Sequence, residues 1–245
     1  MDILSMPAEG KVLAGRAQPG PGAAPAEAVT EALGLIRKAQ RPVILLGLLA
    51  SRPEVSDAVR ALVATTGVPV IGTYQAAGAV SQELSDRFGG RVGLFRNQPG
   101  DQLLHEADLV ISIGYNPIEY DPWLWNVDNG RRIVHVDVVP AELDTHYDPA
   151  VELIGDIAAS VRALAAQAGK LPRAPQLEEI LSQYHATRLS ALSGARSTSN
   201  TAVHPLQIVR ELEQFVTPMS RCAWTWAPST SGWRVTCCPS ARARC

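Results

Sequence analysis

The chain has 245 residues, 46 % of them hydrophobic and 19 % charged, with a formal net charge of −2. That is enough for one large domain with tails and ample core, and the small net charge gives no reason to expect nucleic acid or an anionic membrane surface as partner. The longest apolar run, VILLGLLA, falls far short of the ~20 residues of a membrane helix, and MDILSMPAEGK lacks the basic and apolar order of a signal peptide, so a cytoplasmic location is expected.

In chain order, the Pro-, Gly- and Ala-rich stretch MPAEGKVLAGRAQPGPGAAP reads as linker, through residue 23. Residues 25–40 predict an amphipathic helix, with Ala28, Val29, Leu33, Leu35 and Ile36 apolar and Glu27, Glu31, Arg37 and Lys38 opposite. The strand Pro42–Leu49 follows. Ser51-Arg52-Pro53-Glu54 then reads as a capping box opening the helix Pro53–Thr66, which Gly67 closes. Val68–Tyr74 is the next strand, and Gln75-Ala76-Ala77-Gly78 is a loop of small residues.

Residues 87–122, RFGGRVGLFRNQPGDQLLHEADLVISIGYNPIEYDP, organise the rest. They predict a short strand (Val92–Phe95), a turn (Asn97–Gly100), a short helix around Gln102–His105, and a strand Leu109–Tyr115. ADLVISIGY is too continuously apolar for a sheet with one wet face and reads as a strand covered on both sides. The Asn-Pro and Asp-Pro pairs after it force a loop at its carboxyl end, where open α/β sheets hold ligands. Beyond it lie the strand Arg131–Val138, a short helix from Pro140, the strand Val151–Ile154 and a helix capped by Asp156 and running to about Ala166. The alternation predicts a three-layer α/β fold, doubly wound about a parallel sheet of roughly six strands, over residues 24–168. Residues 169–203 are read as a linker carrying the helix Gln176–Leu192, and His204–Phe215 as another amphipathic helix.

Few motifs carry chemistry. A dinucleotide fold needs glycines after its first strand so that backbone amides approach a pyrophosphate. Here that turn is Gly47-Leu48-Leu49-Ala50-Ser51, with one glycine of three, so FAD and NAD are not expected. Arg91, Arg96, Asn97, Gln98 and Asp101 surround a helix start that can hold a phosphate or carboxylate, the plainer reading being a capped turn with arginines facing solvent or a neighbouring domain. Asp137 stands where a dinucleotide fold carries its ribose-binding acid, but without the glycine fingerprint it reads as a loop or helix-start carboxylate. His135 reads as a hydrogen-bonded structural histidine. His105, His146, His185 and His204 lack metal-ligand spacing, so no metal site is expected. Trp123 and Trp125 read as packing or interface residues. No catalytic residue is assigned.

RFGGRVGLFRNQPGD and ADLVISIGYNPIEYDP, preceded by TYQAAGAV, resemble the central domain of the catabolic acetolactate synthases, which are thiamine-diphosphate enzymes. The resemblance implies an activity that joins two pyruvates into 2-acetolactate with loss of CO₂, dependent on thiamine diphosphate and Mg²⁺, in a homo-oligomer. It also implies that DILSMPAEGKVL closes a preceding domain, and that residues 204–218 are the first helix of a following one. The family's activating glutamate and its GDG…N segment belong to those flanking domains, and no GDG occurs here. The catabolic branch is understood to dispense with FAD. The isolated chain is therefore expected to be inactive and to bind neither thiamine diphosphate nor Mg²⁺.

From Met219 the composition changes. MSRCAWTWAPSTSGWRVTCCPSARARC holds all four cysteines and three of the five tryptophans, without strand or helix periodicity. Such clustering fits neither a disulfide framework nor a zinc site. The nucleotide string GATGTCACGCTGTGCGTGGACATGGGC gives DVTLCVDMG from its first base and MSRCAWTW from its second. DVTLCVDMG resembles the family's next segment, so residues 219–245 are expected to be a disordered tail read in a shifted frame.

Overall fold

The computed structural model describes residues 21–194, 205–213, 221–225 and 234–238. The calls on residues 1–20, on the link 195–204 (His204 included) and on most of the tail lie outside them. Six parallel strands form the main sheet: β1 (Pro42–Leu46), β2 (Val70–Thr73), β3 (Phe88–Val92), β4 (Leu109–Ile113), β5 (Arg132–Asp137) and β6 (Val151–Ile154). Their order across the sheet is β3-β2-β1-β4-β5-β6, every neighbouring pair parallel. This is the doubly wound order, in which the chain starts in the middle and winds outward both ways.

Alternation along the strands sends side chains to two cores. On one face Ile44, Leu46, Ile111 and Val134 meet α1 (Ala26–Lys38), α2 (Pro53–Thr66) and α4 (Ile157–Ala168). On the other, Val43, Leu45, Val110 and Ile133 meet Leu103 and Leu104 of α3 (Pro99–Glu106), Leu177 and Leu181 of α5 (Pro175–Gly194), and the aromatic residues Tyr115, Trp125 and Tyr147. All five residues of β1 and all five of β4 are buried, as their continuous apolarity requires.

Helix ends follow local chemistry. α2 begins with Pro53 at its first turn and ends at Gly67, whose φ of 74° gives the left-handed cap. Asp156 caps α4, its side chain accepting from the Ala159 N–H. α5 is pinned by Arg87, whose guanidinium donates to both carboxylate oxygens of Glu178 at 2.6 and 3.0 Å. The helix within the expected 169–203 linker thus covers one half of the second face, and α6 (Pro205–Glu213) packs against it.

Four local expectations are corrected. The third strand is Phe88–Val92 rather than Val92–Phe95: Leu94 and Phe95 are exposed, and Gly90, at φ 100°, accompanies a register shift against β2. Ser51 does not cap α2, because its hydroxyl donates to the Leu48 carbonyl; Arg52 is the cap residue and makes no side-chain cap bond. β1 stops at Leu46, and a 3₁₀ turn, Leu48–Ser51, follows. No helix starts at Pro140; the segment is held as a loop by Tyr147, whose hydroxyl meets Ser112 Oγ at 2.7 Å and His135 Nδ1 at 2.8 Å. In the tail, β7 (Arg221–Thr225) and β8 (Arg234–Cys238) pair antiparallel as a separate two-stranded sheet, where neither periodicity nor order was expected.

Candidate functional site

A doubly wound sheet presents its ligand crevice where the winding reverses, at the carboxyl ends of β1 and β4. Here the loops leaving those strands are stitched together. The Gly47 N–H donates to the Ile113 carbonyl at 3.0 Å and the Leu49 N–H to the Gly114 carbonyl at 3.1 Å. A Cβ on Gly47 would stand 2.3 Å from Tyr115 Cα, so only glycine admits the approach. In dinucleotide folds the corresponding glycine admits a pyrophosphate; in this chain it admits the neighbouring loop.

Glu119, which sequence reasoning did not single out, closes the crevice. Its carboxylate accepts the Leu48 N–H at 3.0 and 3.1 Å, the Asn116 N–H at 3.2 Å and the Thr73 hydroxyl at 2.6 Å. The only available signal was an acid in the Asn-Pro loop after the central strand. Its partners lie up to 71 residues away, beyond the reach of local pattern.

The residues that were singled out do not converge. Arg91 donates to the carbonyls of Thr73 and Tyr74 at 3.2 and 3.5 Å and sits over the Tyr74 ring at 6.0 Å. Burial pulls its pKa below the ordinary arginine value. Arg96 and Asn97 are exposed, with Asn97 at a positive φ of 59°. Gln98 and Asp101 form a reciprocal capping box at the start of α3. Asp101 is buried; it accepts from Gln98 N at 2.7 Å and from the Tyr120 hydroxyl at 2.6 Å. Burial, then the bond to Asp101, pushes the Tyr120 pKa well up. The helix start is thus met by the chain's own carboxylate. Asp137 ends β5, four strands from Arg91, which at ~4.8 Å per strand is about 19 Å; its carboxylate accepts its neighbour's N–H, that of Val138, at 2.6 Å. In this strand order a dinucleotide fold carries its ribose acid at the end of the second strand, where Thr73 stands.

His135 is buried, Nδ1 on Tyr147 and Nε2 3.2 Å from the Val139 carbonyl, a bracing role. Trp125 is fully buried against Tyr115 and Tyr147, whereas Trp123 is half exposed. A cleft of about 630 Å³ opens beside Asn126, Asn129 and Arg131. The arginine there is spent on Asp128 and on the Leu104 and His105 carbonyls. Among the described residues no three His, Cys, Asp or Glu side chains cluster to hold a metal ion, and no helix is long and apolar enough to cross a membrane.

The fold and its crevice define a nucleotide-type α/β domain closed upon itself. Residues 29–164 match the central domain of the thiamine pyrophosphate enzymes, and the chain belongs to that family, which is a family of enzymes. Over 215 residues it is 40 % identical to an acetolactate synthase of Bacillus subtilis, and over 219 residues 42 % identical to a catabolic acetolactate synthase of Raoultella terrigena. A probable 2-ketoarginine decarboxylase of Pseudomonas aeruginosa matches at 26 % over 212 residues. The two acetolactate synthases match 88 % of this chain, which spans only 38 % of their length.

Proposed function

We propose that this chain supplies the central, non-catalytic domain of an acetolactate synthase, which joins two pyruvates into 2-acetolactate and CO₂ using thiamine diphosphate and Mg²⁺ held by flanking domains. The identity of 40–42 % across most of the chain, confined to 38 % of its relatives, is the observation that carries this reading. The surface supports it. Leu48, Tyr74, Leu94, Phe95, Ile118, Val138 and Val139 are all exposed, and all follow carboxyl ends of strands, on one edge of the sheet. An apolar rim of that kind fits burial against further domains or subunits of a cytoplasmic homo-oligomer.

By the same reading the chain alone is inactive and takes up no FAD, because the crevice that would receive a flavin nucleotide's phosphates is stitched shut. Residues 219–245 are read as translated out of frame. Purified chain supplied with pyruvate, thiamine diphosphate and Mg²⁺ should form no acetolactate; turnover above that of boiled protein would refute the reading. Sequencing the gene tests the tail: the frame shifted by one base beyond Met219 should encode a GDG-containing domain, and its absence would overturn the frame argument.

A further inference from the structure

Glu119 is held as a ligand is held. Its carboxylate lies against donors from the ends of β2, β1 and β4, which are adjacent in the sheet: the Thr73 hydroxyl, the Leu48 N–H and the Asn116 N–H. The loop after β1, whose amides receive a phosphate in other doubly wound folds, has no donor to spare at these positions. Leu48 N–H goes to Glu119, Leu49 N–H to Gly114, and Ala50 N–H to the Gly47 carbonyl. Two glycines make room for the acid. A Cβ on Gly47 would come 2.8 Å from Glu119 Oε1, and one on Gly93 would come 2.8 Å from the Glu119 carbonyl oxygen. The helix that follows gives little competition, since α2 starts only at Pro53, a residue without an N–H.

We propose that the switch-point crevice is an anion site whose occupant is the chain's own Glu119, in the place a phosphate would take, and that this resident anion keeps the loops ordered without any nucleotide. The inference goes beyond the family assignment and stands or falls separately from it. Its chemistry is that of a carboxylate accepting charge-assisted hydrogen bonds from preorganised donors. Removing the side chain leaves those donors aimed at an empty pocket, open to a free anion of similar size such as acetate or to an oxyanion such as pyrophosphate.

The test uses the full 245-residue chain. Glu119→Ala should lower the melting temperature, added acetate should restore part of the loss, and inorganic pyrophosphate should bind the variant about tenfold or more tighter than wild type by calorimetry. A folded variant that ignores both anions would overturn the proposal, as would wild type binding pyrophosphate equally well. Should the alanine variant fail to fold, Glu119→Gln keeps the volume and reports through the Leu48 amide. Its proton resonance should move upfield and its hydrogen exchange speed up about tenfold; an unchanged Leu48 amide would sink the idea.

Discussion

The two edges of the sheet are finished differently. At the amino edge the connections that enter β1, β4 and β5 are tied off. Asp108 accepts the Gln40 and Arg41 N–H groups at 2.8 and 2.9 Å, and Arg131 donates to the Leu104 and His105 carbonyls at 2.7 and 2.9 Å, covering the end of α3 with positive charge. No large hydrophobic side chain is exposed in the segments 39–41, 67–69, 107–108 and 129–131 that enter the strands there. The carboxyl edge keeps its polar groups satisfied through Glu119 but leaves an apolar rim in water. Toward the amino edge Val127 and Leu143 are exposed beside the cleft at Asn126, Asn129 and Arg131, against seven exposed large hydrophobics that follow the carboxyl ends of five strands, and it is the carboxyl edge that has the surface of an interface. Both connections out of the unit also lie toward the rim. The Gly22 carbonyl accepts from Asp156 N just past β6, and α5 climbs along β3 from Glu178 beside Arg87 to Tyr184 beside Gly90.

The contrast can be broken from either side. The largest effect is expected at Trp125, which with Tyr115 and Tyr147 anchors the long loops of the carboxyl side: Trp125→Ala should cost about 3–5 kcal/mol in urea unfolding. Arg87→Ala should loosen α5 and cost about 1–3 kcal/mol, discounted because Glu178 is 29 % exposed. The same pair gives a pH dependence. The Arg87 hydrogen bonds hold the Glu178 carboxyl below its ordinary value of 4.5. Its contribution is therefore full above that value and is lost as pH falls through the depressed pKa. Protection of α5 amides should fall below pH 4.5 in wild type and show no such step in Glu178→Gln.

At the tied-off edge, Asp108→Ala frees two N–H groups and should cost about 1–2 kcal/mol, measured by the same unfolding. The smallest stability change belongs to the rim. Phe95→Ser with Ile118→Ser should move unfolding by no more than about 0.5 kcal/mol each while reducing self-association in sedimentation. A large loss of stability there would mean that the rim is core rather than interface.

Sequence reasoning reached what periodicity and local chemistry encode. Pro53–Thr66, Val151–Ile154 and the Asp156 cap stand where they were read, and the doubly wound parallel sheet follows from the alternation of elements. It failed where apolar residues serve something other than the core. VGLF looked like a strand, yet Leu94 and Phe95 are exposed on the rim, and the strand begins earlier, at Phe88, and runs through two glycines. It failed again where a bond spans distant parts of the chain. Tyr147 holds Ser112 and His135 and keeps residues after Pro140 from forming a helix. Glu119 meets Leu48 and Thr73 only because the sheet brings three strand ends together. The anion candidates were chosen by local pattern, Arg91 to Asp101 around a helix start and Asp137 at a strand end, and folding places Arg91 four strands from Asp137.

We propose that the sheet positions other domains and grips no coenzyme itself. Calorimetric titration of thiamine diphosphate with Mg²⁺ into the purified 245-residue chain tests it most directly. No heat of binding is the result this account predicts; saturable one-to-one binding by this chain alone would contradict it.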